Sequence, residues 1–202
     1  AFLMVFVTMI AWGSWANTMK KCGNWRFEAY YWDFAASIIV WTFLLGILLG
    51  GMSPSGWDPL QFIHSLQQTK MIAFLWAGFA GLVLGIGNIL LIGAIALAGF
   101  ATGFPLAIGI ALVLGAVLAF VTNPSATSQP HLLFIGLAFI IFAIIANSIA
   151  YHIKEQHTQV KTNSFKRGII LCLLSGVCIA LFPFPFNYAF QTGMSPYVGS
   201  FL

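Results

Sequence analysis

GIGNILLIGAIALAGFATGFPLAIGIALVLG, Gly85 to Gly115, holds two apolar runs joined by the short turn AGFATGFP and contains no charged residue. Each run extends beyond the quoted stretch to about the 20 residues that a helix needs to cross the hydrocarbon core of a membrane. The rest of the chain has the same character. Of its 202 residues 60% are hydrophobic and 6% are charged, whereas ordinary soluble domains carry about 25% charged residues. The runs are continuously apolar and do not alternate over ten-residue pieces, so they read as spanning helices and not as barrel strands. An α-helical polytopic membrane protein follows.

Spans are expected at about 1–17, 28–50, 71–94, 102–121, 131–152 and 168–190, and a seventh begins at PYVGSFL, Pro196 to Leu202. Ala1 already lies inside an apolar run and the chain stops inside another, so the sequence is expected to be a fragment. The first run lacks a basic flank before it and a small-residue cleavage pattern after it, which argues against a secretory signal.

Basic residues set the orientation. Lys20, Lys21 and Arg26 follow the first span and Lys154, Lys161, Lys166 and Arg167 follow the fifth, while the opposite side has Lys70 alone. Segments 18–27 and 153–167 are therefore expected in the cytoplasm, with the visible N-terminus outside. Five spans in residues 1–152 and a linker at 153–167 imply that a second half, starting at 168, is inverted relative to the first. WGSWAN (Trp12 to Asn17) and FPFPFN (Phe182 to Asn187) form a faint echo between the two halves, with outer aromatics, a helix-weakening Gly or Pro, and a closing Asn.

Small residues indicate close helix packing. Ala73, Ala77, Gly81 and Gly85 form one four-residue stripe, and Ala107, Ala111, Gly115 and Ala119 form another. Stripes of this kind let backbones approach, and the third and fourth spans are expected to form an antiparallel pair. In the outer loop, Asp58 before Pro59 has the pattern of a helix N-cap, with a short surface helix to follow.

The runs WGSWANTMKKCGNWRFEAYYWDF (Trp12 to Phe34), the stretch quoted first, and FPFNYAFQTGMSPYVGSF (Phe184 to Phe201) resemble bacterial sugar-permease-like members of the drug/metabolite transporter superfamily. They are most similar to the glucose/ribose porter and ureide permease groups. The resemblance implies ten helices in two inverted five-helix halves, a solute site between the halves, and residence in the bacterial inner membrane. This sequence would then cover six helices and the start of a seventh.

Candidate binding residues follow from chemistry. Trp12 and Trp15 offer ring faces for a sugar or a planar ureide, and Asn17, Asn88 and Asn187 offer amides for its polar groups. The same tryptophans could serve as interfacial anchors and the same amides as interhelical glue. Phe104 with Pro105 reads either as a broken helix start that frees carbonyls toward a cavity or as an ordinary first-turn proline. Glu28 and Asp33 are the acids of the second span. Their spacing of five turns them about 140° apart, so they do not form a pair. Glu28 suits the first turn of a helix, and Asp33 is the candidate for coupling to a proton or sodium gradient.

HIKEQH, His152 to His157, departs from the zinc-protease spacings, and GIGN lies in an apolar run with no phosphate-binding lysine after it. No metal, cofactor, ATP-driven step, nucleic-acid partner or enzymatic chemistry is expected. The function expected is a permease for a small polar solute, with a sugar first. Ureides, nucleobases or other nitrogenous metabolites are the alternative, and a non-transporting membrane scaffold is a third reading.

Overall fold

A computed structural model of the chain describes residues 2–14, 18, 25, 27–53, 56–58, 60–123, 129–155 and 162–202. Lipid offers no hydrogen bonds to the backbone, so each apolar run satisfies its own N–H and C=O groups as a helix. The helices are α1 (Phe2–Ser14), α2 (Phe27–Gly50), α3 (Leu60–Gln68), α4 (Met71–Ala98), α5 (Phe100–Thr122), α6 (Pro130–Glu155), α7 (Thr162–Leu181), α8 (Pro183–Gln191) and α9 (Pro196–Phe201). Strands β1 (Met52–Ser53) and β2 (Gly56–Trp57) pair as a hairpin before α3.

Among the described residues five stretches are long and apolar enough to cross a membrane: Ala29–Gly50, Met71–Ala98, Thr102–Thr122, Pro130–Asn147 and Phe165–Gln191. Large apolar side chains on their outer faces remain uncovered by protein, for example Trp41 at 63% and Phe142 at 71% exposure. Lipid is the solvent for such faces. The protein is an α-helical, polytopic integral membrane protein.

Helix α7 packs against both α4 and α5 and organises the bundle. Leu91, Ala94 and Ile95 of α4, Ala107 and Ala111 of α5, and Cys172 and Ile179 of α7 form one buried cluster. Apolar side chains are not driven together in lipid as they are in water, so close fit and interhelical hydrogen bonds hold such a cluster. At the α5–α7 crossing, a Cβ on Gly176 would stand 2.9 Å from the Ala107 carbonyl oxygen, so only glycine fits. Between α4 and α5 the chain reverses at Gly99, whose φ of 81° suits a residue without a side chain.

A second cluster joins Phe62 of α3, Ala73 and Ala77 of α4, Ala189 of α8, and Met194 and Val198 around α9. Asp58 Oδ1 accepts a hydrogen bond from the Leu60 N–H at 2.9 Å, which caps α3 as the sequence suggested. The helix is more than a surface connector, because Phe62 is 1% exposed and its ring covers Gly46 of α2. Phe43 and Phe201 meet that ring at centroid distances of 6.0 and 6.1 Å.

Two expectations become more specific. Helices α4 and α5 do pack as the expected pair, with Gly103 against the Ile95 backbone, but their small-residue stripes are shared with other partners: Ala73 and Ala77 pack under α3, α8 and α9, while Ala107 also packs against α7. Small residues permit close approach to any helix, and their spacing does not specify the partner. Of the two readings of Pro105, the ordinary helical proline is the one found. Helix α5 runs through Pro105 without interruption, and the sixth span continues through Phe182, whose φ of −58° and ψ of −31° stay helical between α7 and α8, so its prolines remove hydrogen bonds without dividing it.

Candidate functional site

The gap in the hydrogen bonding of the sixth span follows from FPFPF. Proline has no N–H to donate, so Pro183 and Pro185 together remove two neighbouring helical hydrogen bonds, those to the carbonyls of Ile179 and Leu181. The remaining bonds run through Phe182, whose N–H donates to Cys178 O at 3.2 Å and whose carbonyl accepts from Phe186 N at 3.3 Å. Helix α8 ends at Thr192, where Gly193 turns with φ 97° toward α9.

Between this span and α5 lies a cleft of about 1040 Å³. One wall is the small-residue face of α5, where Ala111, Gly115 and Ala119 leave the space open. The opposite wall carries Pro183, Asn187 and Gln191, which with Ile179 recur every four residues and so share one face of the span. Phe182, Phe184 and Phe190 supply ring surface. Thr122 and Asn123 border the cleft at the C-terminal end of α5.

Tyr188 also borders the cleft, and its ring lies edge-on to Trp76 of α4 at 5.0 Å between centroids. Phe186 and Phe190 make a similar contact at 4.5 Å. The Tyr188–Trp76 contact holds α8 against α4, while the Phe186–Phe190 contact lies within α8. The Thr122 hydroxyl donates to Leu118 O at 2.9 Å, which leaves its oxygen able to accept. The side-chain amides of Asn187 and Gln191 make no hydrogen bond among the described residues.

Among the described residues, no Asp, Glu, Lys, Arg or His borders the cleft. A charged solute would lose its hydration there without gaining a counter-charge, which is unfavourable. A neutral, flat solute that both donates and accepts hydrogen bonds fits the ring faces and amides together.

Of the residues expected in the site, Asn187 lines this cleft. Asn88 is half-buried on α4 and Phe104 stacks on Phe100 at 5.4 Å; neither lines it. Asp33 is exposed on α2, away from the cleft. Trp15 and Asn17 lie outside the described residues, as do the side chains of Trp12 and Glu28. Sequence reasoning passed over Thr122, Asn123 and Gln191. Gln191 could have been found from its spacing of four from Asn187, in register with Pro183. The stripe Ala111, Gly115, Ala119 was read as packing surface, yet here it makes room for the cleft.

No curated protein and no solved structure matches the chain. The family model of the ureide permeases matches residues 30–168, about two thirds of the sequence, from the second span to the start of α7. With that match over most of its membrane helices, the chain belongs to the ureide permease family.

Proposed function

We propose that the protein carries ureides or closely related neutral nitrogenous solutes across the membrane, with the cleft between α5 and α7–α8 as its binding site. The observation that carries this reading is a charge-free cleft with an amide-bearing wall in a chain of the ureide permease family. Aromatic rings and amides would also suit a sugar, but the family favours the nitrogenous alternative over the sugar put first by the sequence. A scaffold has no use for an open cleft bordered by Asn187 and Gln191.

Transport follows by alternating access of the helical bundle, driven by a solute or ion gradient. With the basic linker in the cytoplasm, as its lysines and arginines favour, the end of the cleft at Thr122 and Asn123 lies toward the outer side. Proteoliposomes containing the intact protein test the reading. Uptake of a labelled cyclic ureide such as hydantoin, with glucose and ribose at background, is the expected result. Sugar uptake without ureide uptake would overturn it.

A further inference from the structure

We infer that the backbone carbonyl of Ile179, deprived of its helical donor by Pro183, is a solute-binding acceptor in the cleft wall and requires an N–H donor at the deep end of the solute. The inference rests on the cleft being the ureide site.

In an α-helix the carbonyl of residue 179 accepts from the N–H of residue 183, and proline lacks that hydrogen. Ile179 and Pro183 both line the cleft, so the interrupted edge of the helix belongs to the cleft wall. The carbonyl of Leu181 loses its donor to Pro185 in the same way, but neither of those residues lines the cleft. The two prolines therefore differ in role: one opens a backbone acceptor toward the cleft and the other does not.

An acceptor left without a donor in an apolar wall costs free energy, which a solute N–H removes on binding. Side chains lean toward the N-terminus of their helix, so Asn187 reaches back toward Pro183. The gap from the Ile179 carbonyl to that amide is thus shorter than the eight-residue rise of about 12 Å. Asn187 can turn either a donor or an acceptor to the solute. A backbone carbonyl can only accept, so it fixes which end of the solute goes in first.

Three five-membered cyclic ketone analogues of equal ring size test this: 2-imidazolidinone with two ring N–H groups, 2-pyrrolidinone with one, and cyclopentanone with none. In the intact wild-type protein, affinity should fall along the series, and Pro183→Ala, which restores a helical donor to Ile179, should shrink the imidazolidinone-to-cyclopentanone ratio by about three- to tenfold, the worth of one hydrogen bond. Pro185→Ala should keep the wild-type ratio. An unchanged ratio in Pro183→Ala, or an equal loss in Pro185→Ala, overturns the inference while leaving the ureide reading intact. Should Pro183→Ala fail to fold, equal wild-type affinity for imidazolidinone and cyclopentanone overturns it without any variant. A wild-type protein that binds none of the N–H-bearing probes and no hydantoin sinks the ureide reading itself, and the inference with it.

Discussion

Ser175 Oγ donates a 2.7 Å hydrogen bond to the carbonyl oxygen of Gly87, fully buried where α7 crosses α4. The pair ties the sixth span to the third in the middle of the bundle. Removing the hydroxyl should cost little, because the Gly87 carbonyl keeps its place in the α4 ladder and interhelical bonds in membranes average about 0.6 kcal/mol. Ser175→Ala should therefore lower the detergent-solubilised Tm by only a few degrees. Gly176→Val, one residue on, drives a side chain into the Ala107 carbonyl, 2.9 Å from where its Cβ would stand. That variant should fail to give a monodisperse protein, as size-exclusion chromatography would show.

Phe62 locks α3 to the bundle. Phe62→Ala should destabilise this region by about 3 kcal/mol, the usual cost of emptying a buried aromatic site. Limited proteolysis between Gly51 and Lys70 reads the effect directly: faster cleavage than in wild type is expected.

Asn187 and Gln191 face the cleft without packing demands, so their loss should act on the solute and not on the fold. Asn187→Leu should weaken hydantoin binding by about tenfold, the value of a lost hydrogen bond with its polar partner left unmade. Its Tm should stay at the wild-type value. A fall in Tm with unchanged affinity would place Asn187 in packing instead.

Gly115 tests the cleft by volume. A Cβ there meets nothing nearer than the Ala180 backbone at 3.9 Å, so Gly115→Ala should be tolerated. Gly115→Leu should project into the cleft and reduce ureide uptake to background while the protein still folds.

Asp33 separates coupling from binding. It is exposed on α2 and does not border the cleft. Asp33→Asn should leave hydantoin affinity unchanged and abolish uptake against a gradient. Wild-type affinity should itself stay flat between about pH 5 and 8, since no histidine or carboxylate among the described residues lines the cleft. Undiminished concentrative uptake by Asp33→Asn would remove its coupling role.

Much of the architecture was legible because lipid leaves few options. An apolar run with few or no charges must become a helix in lipid, and α2, α4, α5 and α6 fall on the runs expected at 28–50, 71–94, 102–121 and 131–152. The Asp58 cap was legible for a similar local reason. Partner choice was not, since Ala107 and Gly115 share a stripe yet one is buried against α7 and the other borders the cleft. Of the two readings open for Phe104 with Pro105, the structure has the ordinary proline near the start of an unbroken helix, and the helix-weakening residues noted in FPFPFN fall where α7 meets α8. Pro105 withdraws one hydrogen bond within α5, while Pro183 and Pro185 withdraw two around Phe182, where the backbone stays helical.

The ring contact between Tyr188 and Trp76 gives the protein an optical probe of its own occupancy. Tyr188 touches the cleft, and the indole of Trp76 lies against its edge rather than in the cleft itself. A solute that displaces or polarises the phenol alters the surroundings of a fluorophore it never contacts. Binding can then be followed by intrinsic emission without a label, with a Trp76→Phe variant supplying the dark reference against the background of the remaining tryptophans.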